Sequence, residues 1–133
     1  MLRTLFRKQG VTGHRSILSA QAQARGLKGL IVGVPKETFD LERRVAITPP
    51  NVIKLTKAGA SVMVEKGAGV GCGFADDAYL KAGATIVPSS EAWKAQVVAK
   101  VRPPTAAEAA LIEDRAICAI IQPRQNIELM EQL

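Results

Sequence analysis

The chain has 133 residues, 47% of them apolar and 23% charged, a composition that suits one globular domain with its own core. It contains no run of about 18 apolar residues, so this chain does not cross a bilayer as a helix by itself. The formal net charge of +6 sits at one end: Arg3, Arg7, Lys8, Arg15, Arg25 and Lys28 carry it in residues 1–29, where no Asp or Glu occurs. From Leu30 onward 12 basic residues meet 12 acidic ones, so the body is formally neutral and offers no general basic patch.

A basic, acid-free N-terminus with Thr12, Ser16 and Ser19 meets the requirements of a mitochondrial transit peptide. Leu2, Leu5 and Phe6 fall on one helical face with Arg3 and Arg7 off it, which supplies the amphipathic helix that import machinery reads. No apolar core follows the charges, which disfavours a secretory signal. A plain basic tail and a nucleic-acid-binding arm are the alternatives. The expected division is therefore a transit peptide over 1–29 and a domain over 30–133. The one histidine, His14, lies in the leader, which removes histidine acid–base chemistry from the body. Cys72 and Cys118 have no metal-type spacing and are expected as buried or half-buried free thiols.

The elements follow in order. Leu30-Ile-Val-Gly-Val34 is a buried strand that empties at Pro35 into a charged loop. Thr48 is placed to cap a helix whose first turn takes Pro49, with Val52, Ile53 and Leu55 facing inward and Gly59 ending it in the left-handed conformation. Ala60 to Glu65 is a strand with Val62 and Val64 on one face. The phrase Lys57-Ala-Gly-Ala-Ser-Val62 returns as Lys81-Ala-Gly-Ala-Thr-Ile86, so one helix-to-strand device is used twice, with Asp76 to Ala82 as the second helix. Ser89 is expected to cap the turn holding Trp93. Gln96 to Val101 is a strand ended by Pro103-Pro104, Ala106 to Asp114 a helix with Leu111 and Ile112 inward, and Ala116 to Ile121 an apolar strand closed by Pro123. Ile127 to Leu133 is amphipathic and exposes Ile127, Met130 and Leu133. This alternation predicts a three-layer α/β domain with a mainly parallel, flavodoxin- or Rossmann-like sheet. Ligands of such sheets collect beyond the carboxyl ends of the strands, where the loops after Val34, Val101 and Ile121 open.

Lys36, Arg43, Arg44 and Arg102 stand in those loops and could converge on a carboxylate or phosphate, which the planar guanidinium fork binds with two parallel hydrogen bonds. They could equally pair with Glu37, Asp40 and Glu42 of the same loop. Gly67-Ala-Gly-Val-Gly-Cys-Gly73 departs from the dinucleotide fingerprint GxGxxG, because the third glycine would fall on Cys72 or Phe74, and no helix opens directly after it. It reads as a flexible turn rather than a phosphate cradle. No Walker-type lysine, nucleophile elbow or zinc motif is present.

Four stretches in order, Gly33 to Pro49, Val64-Glu-Lys-Gly-Ala-Gly69, Lys100-Val-Arg-Pro-Pro104 and Gln122-Pro-Arg-Gln-Asn126, resemble the alanine dehydrogenase/pyridine nucleotide transhydrogenase family over residues 30–133. The resemblance implies that Arg44 matches the arginine that holds the substrate carboxylate in the dehydrogenases, and Arg102 the basic residue after the fourth strand, which is lysine there. It places the dehydrogenases' catalytic histidine where this chain reads Gln122 to Asn126, so the amine/keto chemistry lacks its acid–base group. Arg44, Arg102 and Gln122 are therefore the candidate anion-binding residues, with no catalytic residue and no metal. Lys-Val-Arg-Pro and Gln-Pro-x-Gln-Asn are instead similar to the proton-translocating transhydrogenase branch. That branch implies NAD(H) and NADP(H) as cofactors, further domains or subunits as partners, a homodimer, and a position on the matrix side of the inner mitochondrial membrane. In it the residues that grip NAD(H) lie beyond the stretch matched by Leu133. An amino-acid dehydrogenase domain and a non-enzymatic binding module remain as alternatives.

Overall fold

The computed structural model describes residues 26–133, and the proposed transit helix in residues 1–25 lies outside them. Five strands, β1 (Ile31–Val34), β2 (Ser61–Glu65), β3 (Thr85–Val87), β4 (Val97–Ala99) and β5 (Ala116–Cys118), form one sheet in the order β3-β2-β1-β4-β5. Every pairing is parallel. The helices are α1 (Pro49–Lys57), α2 (Asp76–Lys81), α3 (Ser89–Ala92), α4 (Ala106–Ala109) and α5 (Ile127–Gln132). The doubly wound α/β fold expected from the alternation is thus the one observed. None of the helices among the described residues is long and apolar enough to cross a membrane.

Side chains of a strand alternate between faces, and that alternation sets the layers. Val34, Val62 and Val64 join Val52 of α1 and Tyr79 of α2 in one buried cluster. Gly33 points to the opposite face, where a Cβ would stand 2.0 Å from the carbonyl oxygen of Ala92 in α3. Only glycine allows that helix so close. Val98 is in register with Gly33 and packs with Trp93 and Ile112 in a second cluster.

The repeated phrase is a pair of matching helix ends. Gly59 (φ +97°) and Gly83 (φ +92°) both take the left-handed conformation. Ala60 donates to the Leu55 carbonyl and Ala84 to the Tyr79 carbonyl, each at 3.0 Å, the long bond of a Schellman motif. The backbone fold also extends ahead of Leu30: the Leu27 N–H donates to the Ala58 carbonyl at 2.7 Å, which ties residues 26–30 to the end of α1.

Several local expectations need correction. The Thr48 side chain caps nothing: Pro50 has no N–H to offer, and the Asn51 and Val52 amides donate to the Thr48 backbone carbonyl instead. Ser89 is the first residue of α3 rather than its cap, and Pro88 holds the cap position. Ile53 is 41% exposed because Val52, one step around the helix, takes the inward place. Leu111 is 48% exposed, since α4 stops at Ala109 and the chain turns before a helical stripe can form. Strands β4 and β5 are each three residues, shorter than the apolar runs that contain them. At the sheet edge Ile120 lies exposed past the end of β5. Cys72 and Cys118 are free, but exposed rather than buried.

Candidate functional site

Val34 of β1 is level with Val64 of β2, and the pairing of Gly33 with Val98 brings the ends of β1 and β4 to the same edge. From β1 the chain winds through β2 to β3 on one side and resumes at β4 on the other. The loops after β1 and β4 therefore flank the point where the winding reverses, the crevice where open α/β sheets bind ligands.

The loop after β1 is held to that edge along its length. The Lys36 N–H donates to Glu65 Oε2 at 2.8 Å. Glu37, buried, accepts the Val101 N–H at 2.6 Å on Oε1 and the Arg102 N–H at 3.4 Å on Oε2, which fixes the start of the loop after β4. Near the other end of the loop the Tyr79 hydroxyl donates to the Ile47 carbonyl at 3.0 Å. Burial, with Cys72 and Asp76 adding to it, pushes that phenol up to about 12, so it stays a donor.

Between the loops lies a buried charge cluster that the motifs do not announce. The Lys100 side chain is 1% exposed, with Nζ 3.0 Å from Glu108 Oε1 and 3.6 Å from Glu37 Oε2. Its ammonium also stands 5.5 Å from the centre of the Trp93 ring. Glu108 closes a capping box with Thr105: its carboxylate accepts the Thr105 N–H at 2.8 Å while its own N–H donates to Thr105 Oγ1 at 3.2 Å. The Thr38 hydroxyl adds a donor at 3.0 Å. Burial works against the Glu108 charge, but the Thr105 N–H, the Lys100 ammonium and the Thr38 hydroxyl overcome it and hold the carboxyl below its ordinary range.

Arg44 and Arg102 do converge, and they converge on Glu42. Arg44 donates from Nε to Oε1 at 2.7 Å and from Nη2 to Oε2 at 2.6 Å, a two-pronged fork, and its backbone N–H adds a bond to Oε1 at 3.1 Å. Arg102 donates from Nε to the same Oε2 at 2.8 Å and lies over the Phe39 ring at 4.8 Å. The Glu42 side chain is 4% exposed, while those of Arg44 and Arg102 are 61% and 37% exposed. The Arg44 side chain first, then its backbone N–H and Arg102, holds the Glu42 carboxyl well below the usual carboxylate range against the opposing effect of burial. The carboxylate in turn raises Arg44 above its usual value.

Gln122 is not joined to this pair by a hydrogen bond. It takes a left-handed φ of +52°, and its backbone carbonyl accepts the Asn126 side-chain amide at 3.2 Å. Arg43 forms no ion pair among the described residues; its backbone instead packs on the glycine loop, where a Cβ on Gly71 would stand 3.0 Å from the Arg43 carbonyl oxygen. A Cβ on Gly69 would meet the Tyr79 ring at 2.6 Å, and Gly67 N–H donates to Asp76 Oδ1 at 2.9 Å. The loop reads from sequence as a flexible turn; its Ala68–Gly69 end is buried against Tyr79, while Val70–Gly73 form an exposed 3-10 turn and its cap. The Cβ directions of Gly69 and Gly71 are filled by protein, so these two glycines are accounted for by packing against Tyr79 and Arg43.

The fold is that of a doubly wound α/β domain with charged loops at its switch point. Residues 33–133 match the family model of the alanine dehydrogenase/PNT N-terminal domain, and the chain belongs to that family. It is 42% identical over 105 residues to the NAD(P) transhydrogenase subunit alpha of Haemophilus influenzae, covering 78% of this chain and 20% of that protein. It is 52% identical over 79 residues to alanine dehydrogenase 1 of Staphylococcus aureus, covering 59% of this chain and 21% of that one. Among solved structures, an L-alanine dehydrogenase superposes with a TM-score of 0.76 at 40% identity, covering 78% of this chain and 29% of that one. The transhydrogenase from Sinorhizobium meliloti superposes with a TM-score of 0.73 at 38% identity, covering 77% and 31%. The chain thus spans about a fifth of the length of the curated relatives it matches.

Proposed function

We propose that the chain is the N-terminal domain of a proton-translocating NAD(P) transhydrogenase, working on the matrix side of the inner mitochondrial membrane after removal of a transit peptide that ends near Arg25. The observation that carries this reading is the pair of departures from the dehydrogenase pattern: Arg102 in place of lysine, and Gln122 to Asn126 without a histidine. The described site holds no histidine, the group to which the resemblance assigns the dehydrogenases' acid–base step, so amine/keto chemistry is disfavoured, whereas hydride transfer directly between two nicotinamides needs no such group. The match to a transhydrogenase subunit over 105 residues is consistent with the same choice, though an L-alanine dehydrogenase structure covers the chain equally. In this reading the domain serves as scaffold and the Arg44–Arg102 pair as a site for a carboxylate or phosphate. NAD(H), NADP(H), the proton path and the homodimer contacts belong to the complete enzyme.

The higher identity over a shorter stretch with an alanine dehydrogenase favours a second reading, an amino-acid dehydrogenase domain. One set of assays separates them. The 133-residue chain alone is expected to transfer no hydride between NADH and a nucleotide analogue, and robust turnover by it would sink the claim that it lacks a nucleotide site. Expressed with the remainder of its reading frame, it should reduce an NADP analogue with NADH. Oxidation of NADH that requires pyruvate and ammonia would instead establish the dehydrogenase reading.

A further inference from the structure

Glu42 has three features that a solvated loop carboxylate does not need. Its side chain is almost wholly buried although it sits in a surface loop, and it takes four hydrogen bonds from two arginines 58 residues apart in sequence. The residue before it, Leu41, adopts a left-handed φ of +60° with its side chain 86% exposed. A bulky residue in that conformation is disfavoured and gains no packing there, so the turn at Leu41 is kept for where it puts its neighbour.

The bonding also leaves a pattern. Arg44 uses its Nε edge in the fork to Glu42, and Arg102 uses its Nε for the same carboxylate. Among the described residues, Nη1 of Arg44 and both Nη atoms of Arg102 donate no hydrogen bond, so the terminal edge of each guanidinium is open. Two donors meet on one oxygen, Glu42 Oε2, which sets the two guanidiniums side by side despite their like charge. One carboxylate against two guanidiniums leaves a single positive charge.

We propose that Glu42 is the positioning residue of the anion site: it grips Arg44 and Arg102 by their Nε edges and presents their terminal edges together to one small monocarboxylate. This rests on the reading of Arg44 and Arg102 as an anion-binding pair. Displacement of Glu42 by the ligand is the rival arrangement. It is disfavoured because a buried carboxylate stripped of its four donors costs more than an exposed ligand of the same chemistry regains.

The test is pyruvate binding to the 133-residue chain, followed by the arginine Nε–Hε signals in NMR spectra. In the wild-type protein the Hε signals of Arg44 and Arg102 should keep their positions as pyruvate saturates, because the Nε bonds to Glu42 persist. Loss or large movement of those signals on binding would show Glu42 displaced and overturn the proposal without any variant. Glu42→Gln then separates geometry from charge. It raises the net charge of the site by one, so electrostatics alone predicts tighter binding, whereas loss of the fork predicts binding weakened about tenfold. Equal or tighter binding by Glu42→Gln refutes the positioning role. An Arg44→Ala/Arg102→Ala double variant that binds pyruvate as well as wild type, or a wild type that binds none, refutes the underlying anion site instead.

Discussion

Two charged triads stand at the same edge of the sheet, both drawing on the segments after β1 and β4, the first with Glu108 added from α4, and with inverted composition. One is a lysine between two carboxylates, Glu37–Lys100–Glu108, and the other a carboxylate between two arginines, Arg44–Glu42–Arg102. In the first the central charge is sealed and the surplus negative charge is met by backbone N–H groups and the Thr38 hydroxyl. In the second the surplus is positive, and it faces solvent with donors to spare. On the proposed reading, what separates scaffold from anion site is therefore the direction of the surplus and whether internal partners consume it. Glu37 links the two: by holding the Val101 and Arg102 amides it fixes the loop on which the second triad depends.

The largest effect should come from breaking the sealed triad. Lys100→Met removes the only cation between two buried carboxylates, and an uncompensated buried charge costs about 3–5 kcal/mol. Urea unfolding of the 133-residue chain measures it, and a loss under about 1 kcal/mol would mean that Lys100 is not a structural element. Glu108 should also contribute to the acid sensitivity of the fold, alongside Glu42, whose carboxyl is likewise held low. The Glu108 carboxyl is lower in the folded state than in the unfolded chain, so its contribution is complete above the ordinary glutamate range and is lost as pH falls through the lowered value. Thermal midpoints should stay level from about pH 7 to 5 and drop below about pH 4, with Glu108→Gln flattening that drop. A midpoint that fell as pH rose through this window would contradict the sign.

A smaller change probes how Glu108 is aimed. Thr105→Ala removes the hydroxyl half of the capping box and should cost about 1 kcal/mol, while leaving the Lys100 contact in place. If it cost as much as Lys100→Met, the cap and not the ion pair would be holding the loop.

How far this edge was legible from sequence follows from separation along the chain. The strands announce themselves as apolar runs, and the doubled Lys-Ala-Gly-Ala phrase specifies two helix ends because every bond of a Schellman motif is local. Arg44 and Glu42 are two residues apart, so their pairing was one of the readings open in the loop. Glu37 with Lys100, and Glu42 with Arg102, are about 60 residues apart, and nothing local signals them. Lys100 was visible as part of a motif, but its burial depends on two elements closing over it. The readings that failed, at Ile53 and Leu111, assumed a helical phase or length that the packing of Val52 and the early stop of α4 override. The sequence marks the arginines as candidates, and only the fold shows that they share one carboxylate.

The smallest expected effect belongs to Arg43. It is adjacent to Arg44, carries the same charge and lies in the same exposed loop, so a site that worked by diffuse positive charge would use both. Its side chain forms no ion pair among the described residues, and its packing on Gly71 is through backbone and Cβ atoms that alanine retains. Arg43→Ala should therefore change stability by less than about 0.5 kcal/mol. Its pyruvate affinity should stay within about twofold of wild type, since an exposed unpaired charge contributes little. Arg44→Ala, which loses the fork to Glu42, should abolish pyruvate binding in the same titration. A matched loss in the two variants would mean that charge near the crevice, and not the geometry imposed by Glu42, draws the anion, and the contrast between the two triads would reduce to burial alone.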